Sequence, residues 1–119
     1  MSEGRAEISH LERLLRVLKN LQPRGISLYE HQYHPVAFGS FVAVLGHAHK
    51  RVKFSWDGRE FMLSVSFANF PTKNARATWI HHADISLPNG KGIYEDIALH
   101  TADLLAILPS NQQPEPKRR

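Results

Sequence analysis

Eight histidines are the chemistry-bearing residues that stand out in this chain of 119 residues, which contains no cysteine. His47-Ala48-His49 falls between two expected strands. In extended chain an i, i+2 pair points to one side, as paired imidazole ligands for zinc, nickel or copper must. His31 and His34 lie one connection earlier, and His82 shares a strand face with Asp84, whose carboxylate can orient the ring. One expectation is therefore a metal centre of His47 and His49 with a third ligand from His31, His34 or His82. The spacing matches no established zinc signature, and there is no His-Glu-x-x-His helix. His81, beside Trp79, is the candidate for an acid or base of shifted pKa, although such residues are more often hydrogen-bonded rim histidines. Protonating all eight would take the formal charge from +4 to +12.

Other chemistries are thinly represented. Without cysteine there is no disulfide framework, thiolate zinc site, iron–sulfur cluster or thiol nucleophile. Ser40 follows Gly39 but sits in no Gly-x-Ser-x-Gly elbow. Asn89-Gly90-Lys91-Gly92 precedes a helix as an anion cradle would, yet it has neither the length nor the Gly-Lys-Ser/Thr ending of a P-loop, and it reads better as a turn. No catalytic signature and no cofactor motif is present, so a non-catalytic protein without a cofactor is expected.

The excess of base over acid raises nucleic-acid binding as an alternative, through His47, His49, Lys50, Arg51, Lys91 and the terminal Lys117, Arg118 and Arg119. With Lys117, Arg118, Arg119 and Glu115 set aside, the remaining chain holds 12 basic and 10 acidic side chains, too even a mixture for a basic platform.

Hydrophobic periodicity supplies the elements that must carry these groups. Ser9 and Glu12 have capping-box spacing, and Leu11, Leu14, Leu15, Leu18 and Leu21 repeat every three or four residues, which predicts a helix over 9–21 with one apolar stripe. Pro23 and Gly25 end it. Strands are expected from Ile26 and over Val36–Leu45, with a bend at Gly39 and Ser40. Alternating runs on either side of Asp57-Gly58 predict a two-residue type I′ hairpin that pairs Trp56 with Arg59, Phe54 with Phe61 and Val52 with Leu63. Residues 76–87 alternate again, with His81 inward and Ile80 and His82 outward. A second helix over 93–108 buries Ile93, Ile97, Thr101, Leu104, Leu105 and Leu108.

These elements predict an α+β fold: an antiparallel four- or five-stranded meander flanked by N- and C-terminal amphipathic helices packed on one face. Residues 1–108 form a single domain, and 109–119 are a disordered polar, basic tail. No apolar run approaches the roughly 20 residues of a membrane span, and the first residues lack a signal-peptide pattern, so the cytoplasm is expected. The predicted outer sheet face is semi-apolar. Met62, Ile80 and His82 on it, with Trp56 stacked on Arg59 at the hairpin tip, make the expected contact surface of a dimeric interaction protein. Its partner is expected to be another protein or a second copy.

Overall fold

Period-two hydrophobicity and short connections make five consecutive strands pair as neighbours. In the structure, a computed structural model, residues 2–70 and 78–107 are described, with side chains for 7–70 and 78–105. The order is helix α1 (Ser2–Leu21), strands β1 (Ser27–His34), β2 (Ser40–His47), β3 (Lys50–Asp57), β4 (Met62–Asn69) and β5 (Ile80–Ser86), then helix α2 (Ile93–Ile107). All neighbours are antiparallel, in the spatial order β1-β2-β3-β4-β5. The expected α+β meander with a helix at each end is what forms. The tail, and Leu108 of the expected α2 stripe, lie outside the described residues.

One face of the sheet is dry. Phe41, Ala43, Leu45, Val52, Phe54, Trp56, Leu63 and Val65 alternate along β2, β3 and β4 and are buried beneath Val17 and Leu21 of α1 and Ile97 and Leu104 of α2. Each large side chain removed from water there is worth about 1.5–3 kcal/mol, which is why both helices settle on this face. The expected α2 stripe is the buried one from Ile93 to Leu105. Thr101 is accommodated because its hydroxyl donates to the Ile97 carbonyl at 2.6 Å.

The α1 expectation needs two corrections. The helix starts at Ser2, so the Ser9–Glu12 pair lies inside it and caps nothing; Glu3, Arg5, Ala6 and Glu7 are good enough helix formers to carry the helix past the local signal. The buried stripe is His10, Leu14, Val17 and Leu21, while Leu11 and Leu15 are exposed.

The β3–β4 hairpin is corrected as well. Trp56 pairs with Leu63, Phe54 with Val65 and Val52 with Phe67, across a four-residue loop over 58–61. The Asp57 carboxylate accepts from the N–H groups of Arg59 at 3.0 Å and Glu60 at 3.2 Å, a local turn that competes with the type I′ hairpin. Because the register moves by an even number, Leu63 and Val65 still face inward as expected. Gly58 is needed for a different reason than positive φ: a Cβ there would run into the backbone carbonyl of Phe38.

Candidate interaction face and a buried histidine pair

The ends and the uncovered face of the sheet decide where each candidate side chain stands. At one end, the β1–β2 and β3–β4 loops meet. Pro35–Ala37 form a short 3-10 turn, and the chain reverses through Phe38 (φ 59) and Gly39 (φ 72). Gly58 N–H donates to the Ser40 hydroxyl at 2.9 Å, and its missing Cβ lets the Phe38 carbonyl lie against it. The two loops are thereby pinned together. Val36 is 90% exposed, Phe38 68% and Phe61 39%. Phe38 and Phe61 (φ 54) both hold left-handed backbone, which costs a side-chain-bearing residue about 1–2 kcal/mol. Two aromatics kept in that conformation at the surface return little in core burial, and such strain gathers at functional sites.

Trp56, expected at this tip, is only 7% exposed and lies in the core beside Leu63, with the Phe61 ring 6.4 Å away. Four residues of loop, rather than two, carry the tip beyond it. Arg59 is exposed in the loop, and Met62 is half-buried on the outer face between Asp57 and Ser86.

A bulge in β5 corrects three further placements. His82 is the extra residue between the Val65–Ala83 and Ser66–His81 pairs. Beyond it the faces exchange. Ile80, opposite Phe67, and His82, beside Phe67 and His100 of α2, turn to the helix side. His81 turns outward, and its Nε2 lies 3.4 Å from Asp84 Oδ2, so the carboxylate serves His81 rather than His82. Ser64 donates to the other Asp84 oxygen at 2.7 Å.

At the opposite end of the outer face, cations lie on rings. The extra residue in β1 is Tyr29, between the Leu28–Leu45 and Glu30–Val44 pairs. The Arg51 guanidinium sits 3.6 Å from the Tyr29 ring centroid and 5.2 Å from that of Phe70, while Lys53 Nζ is 4.6 Å from that of Trp79. Gly46 makes this possible, because a Cβ would strike the Arg51 side chain on its way to Tyr29. Of the other basic candidates, Lys50 faces inward and is buried, its Nζ donating to the Leu105 carbonyl at 3.0 Å near the end of α2. It is a helix-end clamp and cannot meet a phosphate. Lys91 is exposed after the turn at Pro88–Gly90, and Lys117, Arg118 and Arg119 lie outside the described residues.

The metal candidates are not brought together. His47 Nδ1 is 2.9 Å from the Gly25 carbonyl, His49 and His34 are exposed at separate places, and His31 turns inward to α1. Among the described residues no three His, Asp or Glu side chains converge.

His10, which belongs to none of the candidate sites legible in the sequence, is 4% exposed between the helices and the sheet. Its Nδ1 is 2.7 Å from the Tyr94 hydroxyl and its Nε2 is 2.8 Å from His31 Nε2. The hydrogen-bond chain can run either way. Tyr94 donates to His10, which donates to His31, or His31 donates to His10, which donates to the Tyr94 oxygen. Tyr33 and Phe41 flank the ring, with centroids at 4.9 and 4.4 Å. Burial, then the neighbouring His31, lowers the His10 pKa from 6.5 to about 4. Burial also lowers that of His31, which Glu7 partly opposes, and pushes Tyr94 up to about 12 against the pull of Arg13. The group therefore ties α1, β1 and α2 through neutral side chains at pH 7. Its signal in the sequence was a lone histidine one turn before Leu14 on the buried stripe. Phe38, Phe61 and Tyr29 were legible only as strand residues. No protein-family model matches the chain, and neither the curated proteins nor the solved structures hold a match to it.

Proposed function

We propose that this chain is a non-catalytic interaction module that grips an apolar segment of a protein partner with the tip formed by the 35–39 and 58–61 loops, and with the outer face around Met62. The observation that carries this reading is the pair Phe38 and Phe61, both exposed and both in left-handed backbone. Large aromatics at a tip whose two loops are hydrogen-bonded together, rimmed by Arg59, are the side chains from which interface hot spots are made. Asparagine tolerates left-handed backbone, so the Phe38→Asn, Phe61→Asn double variant removes the rings without adding strain. In a pull-down from host extract treated with nuclease, a stoichiometric protein retained by the wild type and lost by the folded double variant supports the reading. Equal retention by both refutes it.

The cation-on-ring array of Tyr29, Arg51, Phe70, Trp79 and Lys53 favours a second reading, single-stranded nucleic acid stacked on the far end of the same face. That reading predicts affinity for a single strand that falls with salt, with a slope near −0.7 for each phosphate neutralised, and a shallower slope for Arg51→Ala. Absence of salt-dependent binding removes it.

A further inference from the structure

Helix α1 carries two apolar stripes, and the fold covers one. His10, Leu14, Val17 and Leu21 point into the core. Ile8, Leu11, Leu15 and Leu18 form the second, at spacings of three, four and three residues, the a/d repeat of a helix–helix seam. Ile8 is 59% exposed and Leu15 57%; Leu11 is exposed, and only Leu18 leans onto the core. The stripe runs beside the edge strand β1, where Leu15 and Leu18 share a cleft of about 250 Å³ with Ile26 and Leu28.

We infer that this stripe is the contact between two copies of the chain, α1 packed antiparallel against the α1 of a second copy. Three observations choose this occupant. The parts of the chain outside the described residues cannot supply a matching stripe: 71–77 reads Pro-Thr-Lys-Asn-Ala-Arg-Ala, and beyond Leu108 the tail holds no Leu, Ile, Val or Phe. A self-matching helix seam is satisfied by a two-fold axis, and an axis near Arg13 sets Ile8 against the partner's Leu18 and Leu11 against the partner's Leu15. The charges flanking the seam select direction. A parallel pair sets Glu7 against the partner's Glu12, the usual g-to-e contact, whereas an antiparallel pair sets e against e and g against g, which removes the Glu7–Glu12 contact and gives Glu12 the partner's e flank, where Lys19 also stands. The seam uses none of the tip side chains Phe38, Arg59 or Phe61, so the inference does not rest on the proposed function.

The test is solution mass with one variant on each surface. The wild type is expected to sediment at twice 13.6 kDa. Leu15→Lys, at an exposed position that the fold does not need, should keep the circular dichroism spectrum and weaken dimerisation at least ~100-fold. The Phe38→Asn, Phe61→Asn variant should remain dimeric. Because the chain has no cysteine, direction is read by mixing Ile8→Cys and Leu18→Cys proteins under mild oxidation. The mixed disulfide should dominate over the two homodisulfides. A wild type monomeric at ~100 µM, a dimer indifferent to Leu15→Lys, or a dimer lost only in the tip variant overturns the inference. So does a preponderance of homodisulfides.

Discussion

Acidification should loosen this fold chiefly through His10. In the unfolded chain its imidazole takes up a proton near pH 6.5; in the native structure burial and His31 delay that to about pH 4. Between those values the unfolded state holds more protons, so stability is complete above pH 6.5 and is lost as the pH falls toward 4. At about 1.4 kcal/mol for each tenfold change in proton affinity, the loss reaches up to about 3 kcal/mol. For a domain this size that is a large part of a total of about 5–15 kcal/mol. His31, lowered in the same direction, adds to it. A second proton on the pair has an added cost, because two imidazolium Nε2–H groups cannot share the 2.8 Å contact. The assay is urea unfolding from pH 7.5 to 4 on the wild type and on His10→Phe. Phenylalanine keeps a ring among Tyr33, Phe41 and Tyr94 and cannot titrate. It forfeits two hydrogen bonds, at about 1 kcal/mol each, so it is the less stable protein at pH 7. The gap should close or reverse by pH 4. A gap that stays constant across the range would refute the reasoning, and the His10 ring signals in NMR would show directly whether the proton arrives near pH 4.

Three further expectations test the local physics. Phe38→Gly releases left-handed strain at an exposed site and should raise stability by about 0.5–1 kcal/mol after the added entropy of the unfolded glycine, read as a higher Tm. Gly58→Ala pushes a Cβ into the Phe38 carbonyl and should destabilise by about 1–3 kcal/mol, with loosening of both tip loops in amide exchange. Lys50→Met leaves the Leu105 carbonyl without its donor and should cost about 1–3 kcal/mol in urea unfolding, with faster exchange concentrated in the last turn of α2.

The residues that alternate or repeat strictly were legible in advance. Leu63 and Val65, and Ile93, Ile97, Thr101, Leu104 and Leu105, are buried where their spacing puts them, because period two and period 3.6 each define a face that water leaves only one way. What period cannot express is where it breaks. The bulges at Tyr29 and His82 reverse the alternation of the strand beyond them, and the Asp57 turn carries Trp56 away from the tip. The second stripe of α1 merges with the first when five leucines are counted together; only the angle at which α1 lies on the sheet separates Leu14 from Leu15. The His10–His31–Tyr94 contact joins residues 21 and 84 positions apart, which no local pattern encodes. By itself, then, the sequence determined the elements and most of their buried faces, because those follow from near neighbours in the chain. The tip, the cation-bearing face, the uncovered seam and the histidine pair were decided by tertiary structure, because each depends on which distant backbone comes to lie alongside.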